Sequence, residues 1–83
     1  MKNFFKGYLV SKVSNGRRWY QKEVESQQWT NEPLQAFFFN DKESAIKSME
    51  QNMNHWQSYY ERNKITTNWE VLEVEMKVTK IEI

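Results

Sequence analysis

From Ala45 and Ile46 onward, Met49, Met53, Trp56 and Tyr60 follow at steps of three and four, which lays one apolar stripe along a helix. Lys47, Glu50, Gln51, Asn54, Gln57, Ser58 and Glu61 fill the rest of its circumference. The predicted helix runs from about Lys42 to Arg62 and is roughly 30 Å long at about 1.5 Å of rise per residue. Asn40 or Asp41 caps its start, Asn40 having capping-box spacing to Glu43, and Asn63-Lys64 ends it. So long a stripe in a chain of 83 residues has to be covered by whatever the remaining sequence builds.

That remainder reads as strands. Phe4 to Val13 is rich in aromatic and β-branched residues. Asn15-Gly16 then supplies the positive φ angles of a two-residue hairpin turn, and Arg17 to about Ser26 returns. This register sets Val13 against Arg18, Ser11 against Tyr20, Leu9 against Lys22 and Gly7 against Val24. One face carries Phe5, Leu9, Val13, Tyr20 and Val24, and its aliphatic spacing makes it the expected core. The other carries Phe4, Lys6, Tyr8, Val10, Lys12, Trp19, Glu23 and Glu25. Gln27 to Pro33 is a polar connection, and Leu34 to Phe39 reads as a short third strand whose Phe37-Phe38-Phe39 run points rings to both sides of a sheet. Trp69 to Ile83 reads as a long last strand, with a phase shift near Thr79 that a bulge would produce. The expected fold is α+β: one domain over residues 1–83, an antiparallel four-stranded sheet packed by one long helix, in the order β-β-β-α-β.

With no cysteine there is neither disulfide nor thiolate ligand. A cytoplasmic setting fits that composition, and no stretch has the length of a signal peptide's apolar region or of a membrane span. His55 is the single histidine, without a second ligand at metal spacing, and the only candidate base for a nucleophilic serine; a solvated or core-edge imidazole is the expected reading. Gly7 and Gly16, the two glycines, build no phosphate loop. The expectation is a protein that is not an enzyme and that uses no metal and no cofactor.

Charge and rings then point to binding. Residues 1–22 carry six basic groups and no acidic one, whereas the rest carries six basic against eleven acidic residues, a net of −5. Either two distinct surfaces result, or basic and acidic strands lie side by side and neutralise each other. Tyr8, Lys12, Arg17, Arg18, Trp19 and Lys22 form a basic-aromatic hairpin suited to nucleic acid, phosphates meeting cations and bases meeting rings. The structural alternative puts Tyr20 in the core and stacks Trp19 on Lys12 across the hairpin. Trp29, Tyr59 and Trp69 fall off the core pattern and are candidate anchors for a protein partner, Trp29 and Trp69 being alternatively lids over the sheet edges. Glu70, Glu73 and Glu75 form an acidic strand surface. The helix stripe serves either its own sheet or a dimer seam, so monomer and homodimer both stand, and a small nucleotide held in an aromatic pocket is a third binding mode.

Short length, a composition rich in lysine, asparagine and glutamate, and the ending Trp69-Glu70-Val71-Leu72-Glu73-Val74-Glu75 after an aromatic helix resemble small accessory proteins of phages and prophages. Many of these are inhibitors of host defence of the anti-CRISPR type. The resemblance spans residues 41–78. It implies a stoichiometric inhibitor that blocks a host protein or complex in the host-cell cytoplasm, with Glu23, Glu25, Glu70, Glu73 and Glu75 occupying a nucleic-acid groove or the basic hairpin gripping an acidic protein face.

Overall fold

The computed structural model describes residues 4–23 and 28–77, with side chains from 5 to 23 and from 28 to 75. Strand β1 (Phe4–Ser14) turns through Asn15 and Gly16 into β2 (Arg17–Gln21). Both turn residues have positive φ, 52° and 78°, as the Asn-Gly pair requires. The register keeps Val13 against Arg18 and Ser11 against Tyr20. β2 ends at Gln21, so the expected pairing of Leu9 with Lys22 does not extend the ladder, and that of Gly7 with Val24 lies outside the described residues. Phe39 takes that place beside β1, exchanging both backbone hydrogen bonds with Tyr8 at 2.9 Å.

The third strand, β3, is Trp29–Thr30 and lies on the outer side of β2. The expected strand from Leu34 to Phe39 is thereby corrected: Pro33–Gln35 form a 3₁₀ turn, and Phe39 contributes only the bridge to Tyr8. Proline at the start of the segment presets φ and lacks a ladder donor, which favours the turn over a strand. The rings still go to both sides of the sheet. Phe39 packs with Val10 and Ala45, while Phe38 lies over Gly7 on the opposite side.

Helix α1 (Lys42–Arg62) has the expected bounds. Asp41 is the N-cap, accepting from the Ser44 N–H at 3.2 Å. At the other end Lys64 adopts φ 55°, and its N–H and that of Ile65 return to the Glu61 and Tyr60 carbonyls at 3.3 and 2.9 Å. This is a Schellman closure, reached with lysine where glycine is usual. It delivers the chain into β4 (Thr67–Lys77), which pairs antiparallel with β1 along its whole length, Phe4 with Lys77 through Ser14 with Thr67. The sheet order is β3-β2-β1-β4, antiparallel throughout with one helix on it. Residues 78–83, including the expected phase shift near Thr79, lie outside the described residues, as does Val24.

The helix covers the face opposite to the one expected. Val10 and Ala45 have no accessible surface, and with Phe39 they form the core, against which Tyr8, Trp29, Met49 and Val71 pack. Phe5, assigned to the core by strand spacing, is 59% exposed. The physical reason is volume. Gly7 and Ser11 leave the Phe5–Leu9–Val13 face thin, whereas the Tyr8–Val10 face gains Trp29, Trp69 and Val71 from β3 and β4. Leu9 is still buried, lining a cavity of about 200 Å³ with Leu34, Phe38 and Val74.

Because a Cβ on Gly7 would overlap the Phe38 ring, Gly7→Ala has to swing that ring off the sheet. We expect a loss of about 1–3 kcal/mol, the usual cost of overfilling a packed site, read as a lower denaturant midpoint with an unchanged slope.

The helix meets the sheet through polar contacts as well. Ser48 and Asn52 are buried at steps of three and four in line with Ala45 and Trp56, and Gln21 beneath them is 1% exposed. Gln21 Oε1 accepts from Ser48 Oγ at 2.9 Å and from Asn52 Nδ2 at 3.3 Å, while its Nε2 donates to the Glu23 carbonyl at 2.9 Å.

Candidate functional site

Alternation along β1 sends Lys12 to the helix side, between Trp19 on β2 and Trp69 on β4. There it is almost sealed, 7% exposed. Its ammonium lies 4.0 Å from the ring centre of Trp29, 5.4 Å from Tyr60, and 5.5 Å from both Trp56 and Trp69. Nζ donates to Tyr60 Oη at 2.7 Å. Among the described residues no carboxylate pairs with it. Burial without a counter-charge lowers its pKa to about 8. The ring faces act the other way, each attracting the cation by roughly 0.5–2 kcal/mol depending on desolvation.

The cage draws on four elements: Trp29 from β3, Trp56 and Tyr60 from α1, Trp69 from β4 and the lysine itself from β1. Its rings brace one another, Trp29 against Trp69 at 5.7 Å and Tyr60 against Trp69 at 6.2 Å. Burial raises the pKa of Tyr60, partly opposed by a hydrogen bond with Ser14. The Trp29 indole N–H is buried with no acceptor among the described residues.

Beside the cage opens a cleft of about 500 Å³, between the hairpin end and the last turns of α1. Lys12, Arg17, Trp19, Trp29, Tyr59 and Tyr60 line it together with Ser14, Asn15 and Ile65. Among the described residues, two cations and no carboxylate face it. The Arg17 guanidinium lies 5.5 Å from the Trp19 ring centre. Lys12 therefore sits on Trp29 and its neighbours, and the expected Trp19–Lys12 stack gives way to an Arg17–Trp19 one.

The sheet splits the basic hairpin. Lys12, Arg17 and Trp19 come together with Trp29 and Tyr59. Arg18 faces the other side of the sheet, where it donates to Ser11 Oγ at 2.9 Å and pairs with Glu70. Tyr8 packs against the core, and Lys22 is exposed beyond the end of β2. The acidic residues do not act as one surface either. Glu70 is held by Arg18, Glu73 lies 3.8 Å from Lys6, and Glu75 is exposed on the Glu73 side. Basic and acidic strands thus neutralise each other in part across the β1–β4 sheet.

Trp29 and Trp69, expected as interface anchors or edge lids, come from the two edge strands and close over Lys12. Trp56, Tyr60, Ser14, Asn15 and Ile65 were not among the candidates; Trp56 and Tyr60 stand four residues apart on the helix stripe that the sequence assigned to the core. His55 is exposed and lies edge-on to Trp56 at 5.1 Å. Among the described residues no cluster of acidic or histidine side chains is arranged to hold a metal, and no helix is long and apolar enough to cross a membrane. Comparison with protein families, with curated proteins and with solved structures finds no match to this chain.

Proposed function

We propose that this chain is a ligand-binding module, not an enzyme, and that its cleft takes a nucleotide unit: a planar base with its phosphate. One observation carries the reading. Arg17, Trp19, Trp29 and Tyr59 line a single open cleft of about 500 Å³ whose lining, among the described residues, holds cationic groups and no acidic one. The volume falls within the range of about 300–1,000 Å³ typical of small-ligand sites. Rings supply a stacking surface for a base, and Arg17 supplies a fork for a phosphate. The same chemistry serves a free nucleotide or an unstacked residue of a single strand.

Tryptophan fluorescence titrated with adenosine monophosphate and with a short single-stranded oligonucleotide tests this. Binding is expected to be stacking-dominated. With one or two phosphates contacted, the logarithm of affinity should fall with that of salt with a slope of about −0.7 to −1.4. Trp19→Ala should weaken binding by about 1–3 kcal/mol, roughly 5- to 150-fold, and Arg17→Glu should remove the salt dependence. Quenching by neither ligand, or a loss on Trp19→Ala no larger than on Tyr20→Ala, would sink the reading.

A second reading keeps the phage-type inhibitor of a host defence complex. It is favoured by β4, an eleven-residue edge strand, with Glu73 and Glu75 exposed beside its open side. Such an edge suits strand addition by a protein partner. Capture of a bacterial protein that survives nuclease treatment and is abolished by Glu73→Lys with Glu75→Lys would favour it over the cleft.

A further inference from the structure

We propose that Lys12 is a carbonyl-capturing lysine, whose side-chain amine forms an imine with an aldehyde-bearing ligand seated in the cleft. The inference stands apart from nucleotide binding and rests on what surrounds this one amine. Lys12 lines the cleft, its Nζ is 2.7 Å from Tyr60 Oη, and four rings surround it. A cation needed only to fill an aromatic box is better supplied by arginine, which is more weakly hydrated and stacks on rings. Lysine differs from arginine in that it can give up its proton and attack.

Its surroundings favour that chemistry at each stage. Burial brings its pKa to about 8, so an appreciable fraction is the free amine near neutrality. The titratable and charged groups facing it are Tyr60 and Tyr59 from α1 and Arg17 from β2, with no carboxylate among the described residues to hold the ammonium form. In the reaction the Nζ lone pair forms a C–N bond to the carbonyl carbon, and the carbonyl π pair moves to oxygen. The proton lost by nitrogen passes to that oxygen, with the Tyr60 hydroxyl placed to relay it. Protonation of the carbinolamine hydroxyl then breaks the C–O bond, water leaves, and a protonated imine remains. Amine plus aldehyde plus one proton taken from solvent gives protonated imine plus water, with no change of oxidation state. The protonated imine is again a cation, larger and less hydrated than an ammonium, and the ring faces stabilise it. Arg17 is placed to hold an anionic group on the same ligand.

Pyridoxal 5′-phosphate, which joins an aldehyde to an aromatic ring and a phosphate, is a suitable probe. The intact protein is incubated with it at neutral pH, reduced with borohydride, and mapped by peptide mass spectrometry. Lys12 should be labelled at least about tenfold faster than exposed Lys6, Lys22, Lys42, Lys47 or Lys64, since a pKa of about 8 rather than an ordinary 10.4 raises the free-amine fraction by roughly 200-fold before steric access is counted. Lys12→Arg, which keeps the cation, should lose that dominant adduct. Arg17→Gln should slow labelling by the phosphate-bearing aldehyde about fivefold or more relative to labelling by propanal. Tyr60→Phe, which keeps the ring, should slow both. Labelling of Lys12 no faster than the exposed lysines by both aldehydes would overturn the proposal. Failure to bind nucleotides would leave it standing, because propanal has no base to stack.

Discussion

Lys12→Met is expected to raise the stability of the protein at pH 7 by about 1–3 kcal/mol while removing the amine on which imine capture depends. A buried ammonium without a carboxylate is costly. The lowering of its pKa from 10.5 to about 8 corresponds to a penalty of about 3 kcal/mol. Ring contacts and the Tyr60 hydrogen bond recover part of it. Methionine fills a similar volume, keeps contact with the rings and carries no charge to desolvate. For a domain this small each kcal/mol is worth about 4–8 °C in melting temperature.

The same variant should flatten the alkaline stability profile. Below about pH 8 Lys12 is protonated both folded and unfolded, and the burial penalty is fully present. Between about pH 8 and 10.5 the unfolded chain holds a proton that the folded chain has released, so stability rises with pH. Tyr60 acts in the opposite sense above its ordinary value of 10, because burial favours its neutral form and the unfolded chain ionises first. On these two groups the native protein should therefore gain stability from about pH 8 up to about pH 10, and Lys12→Met should lack the rise. Guanidinium unfolding across this range checks both parts. A variant less stable than the native protein by more than about 1 kcal/mol at pH 7 would show that the caged cation is a net stabiliser.

Gln21→Leu is expected to cost about 2–4 kcal/mol despite conserving size and adding apolar surface. The change strips the Ser48 hydroxyl of its acceptor and leaves the Asn52 amide with only its bond to the Ser48 carbonyl, at 2.8 Å. Each buried polar group deprived of a partner costs about 1–3 kcal/mol, whereas an apolar replacement of the whole set can be nearly neutral. Gln21→Leu combined with Ser48→Ala and Asn52→Leu should thus regain most of the loss. Chemical denaturation of the single and triple variants measures the difference, and equal destabilisation by both would contradict this account of the helix–sheet contact.

The elements that sequence reveals well here are those governed by local rules. The helix is legible because its stripe has a single period and Asp41 stands where a cap is needed. The hairpin register is legible because Asn15-Gly16 allows one turn geometry. The choice of face is not local. Phe5, Leu9 and Val13 on one side of β1 look as apolar as Tyr8 and Val10 on the other, and the balance is tipped by Trp29 and Trp69, distant in sequence. The two-residue β3 has no periodicity to read, while Phe37-Phe38-Phe39 has strand composition without strand geometry. Ser48 and Asn52 occupy helix positions in line with the core, but polar residues there register as surface until Gln21 is seen beneath them.

The candidate site divides in the same way. Arg17, Lys12 and Trp19 were legible as a basic-aromatic group because one hairpin carries them. Strand parity, already implicit in the register, separates Arg18 from Arg17. The cage itself was not legible, since its rings arrive from β3, α1 and β4 and meet around Lys12 only after the long β1–β4 ladder closes. Two unfavourable features among the described residues, a buried ammonium with no counter-ion and a Trp29 indole N–H with no acceptor, adjoin the same cleft. Both lower stability, a cost that the proposed ligand site would have to offset.

The most direct measurement is of the four indole N–H resonances during titration with adenosine monophosphate, followed by two-dimensional nuclear magnetic resonance. Trp19 and Trp29 should move most and saturate together, with Trp56 and Trp69 shifting less. Shifts confined to β4 backbone amides, or no movement at millimolar nucleotide, would contradict a ligand site in the cleft.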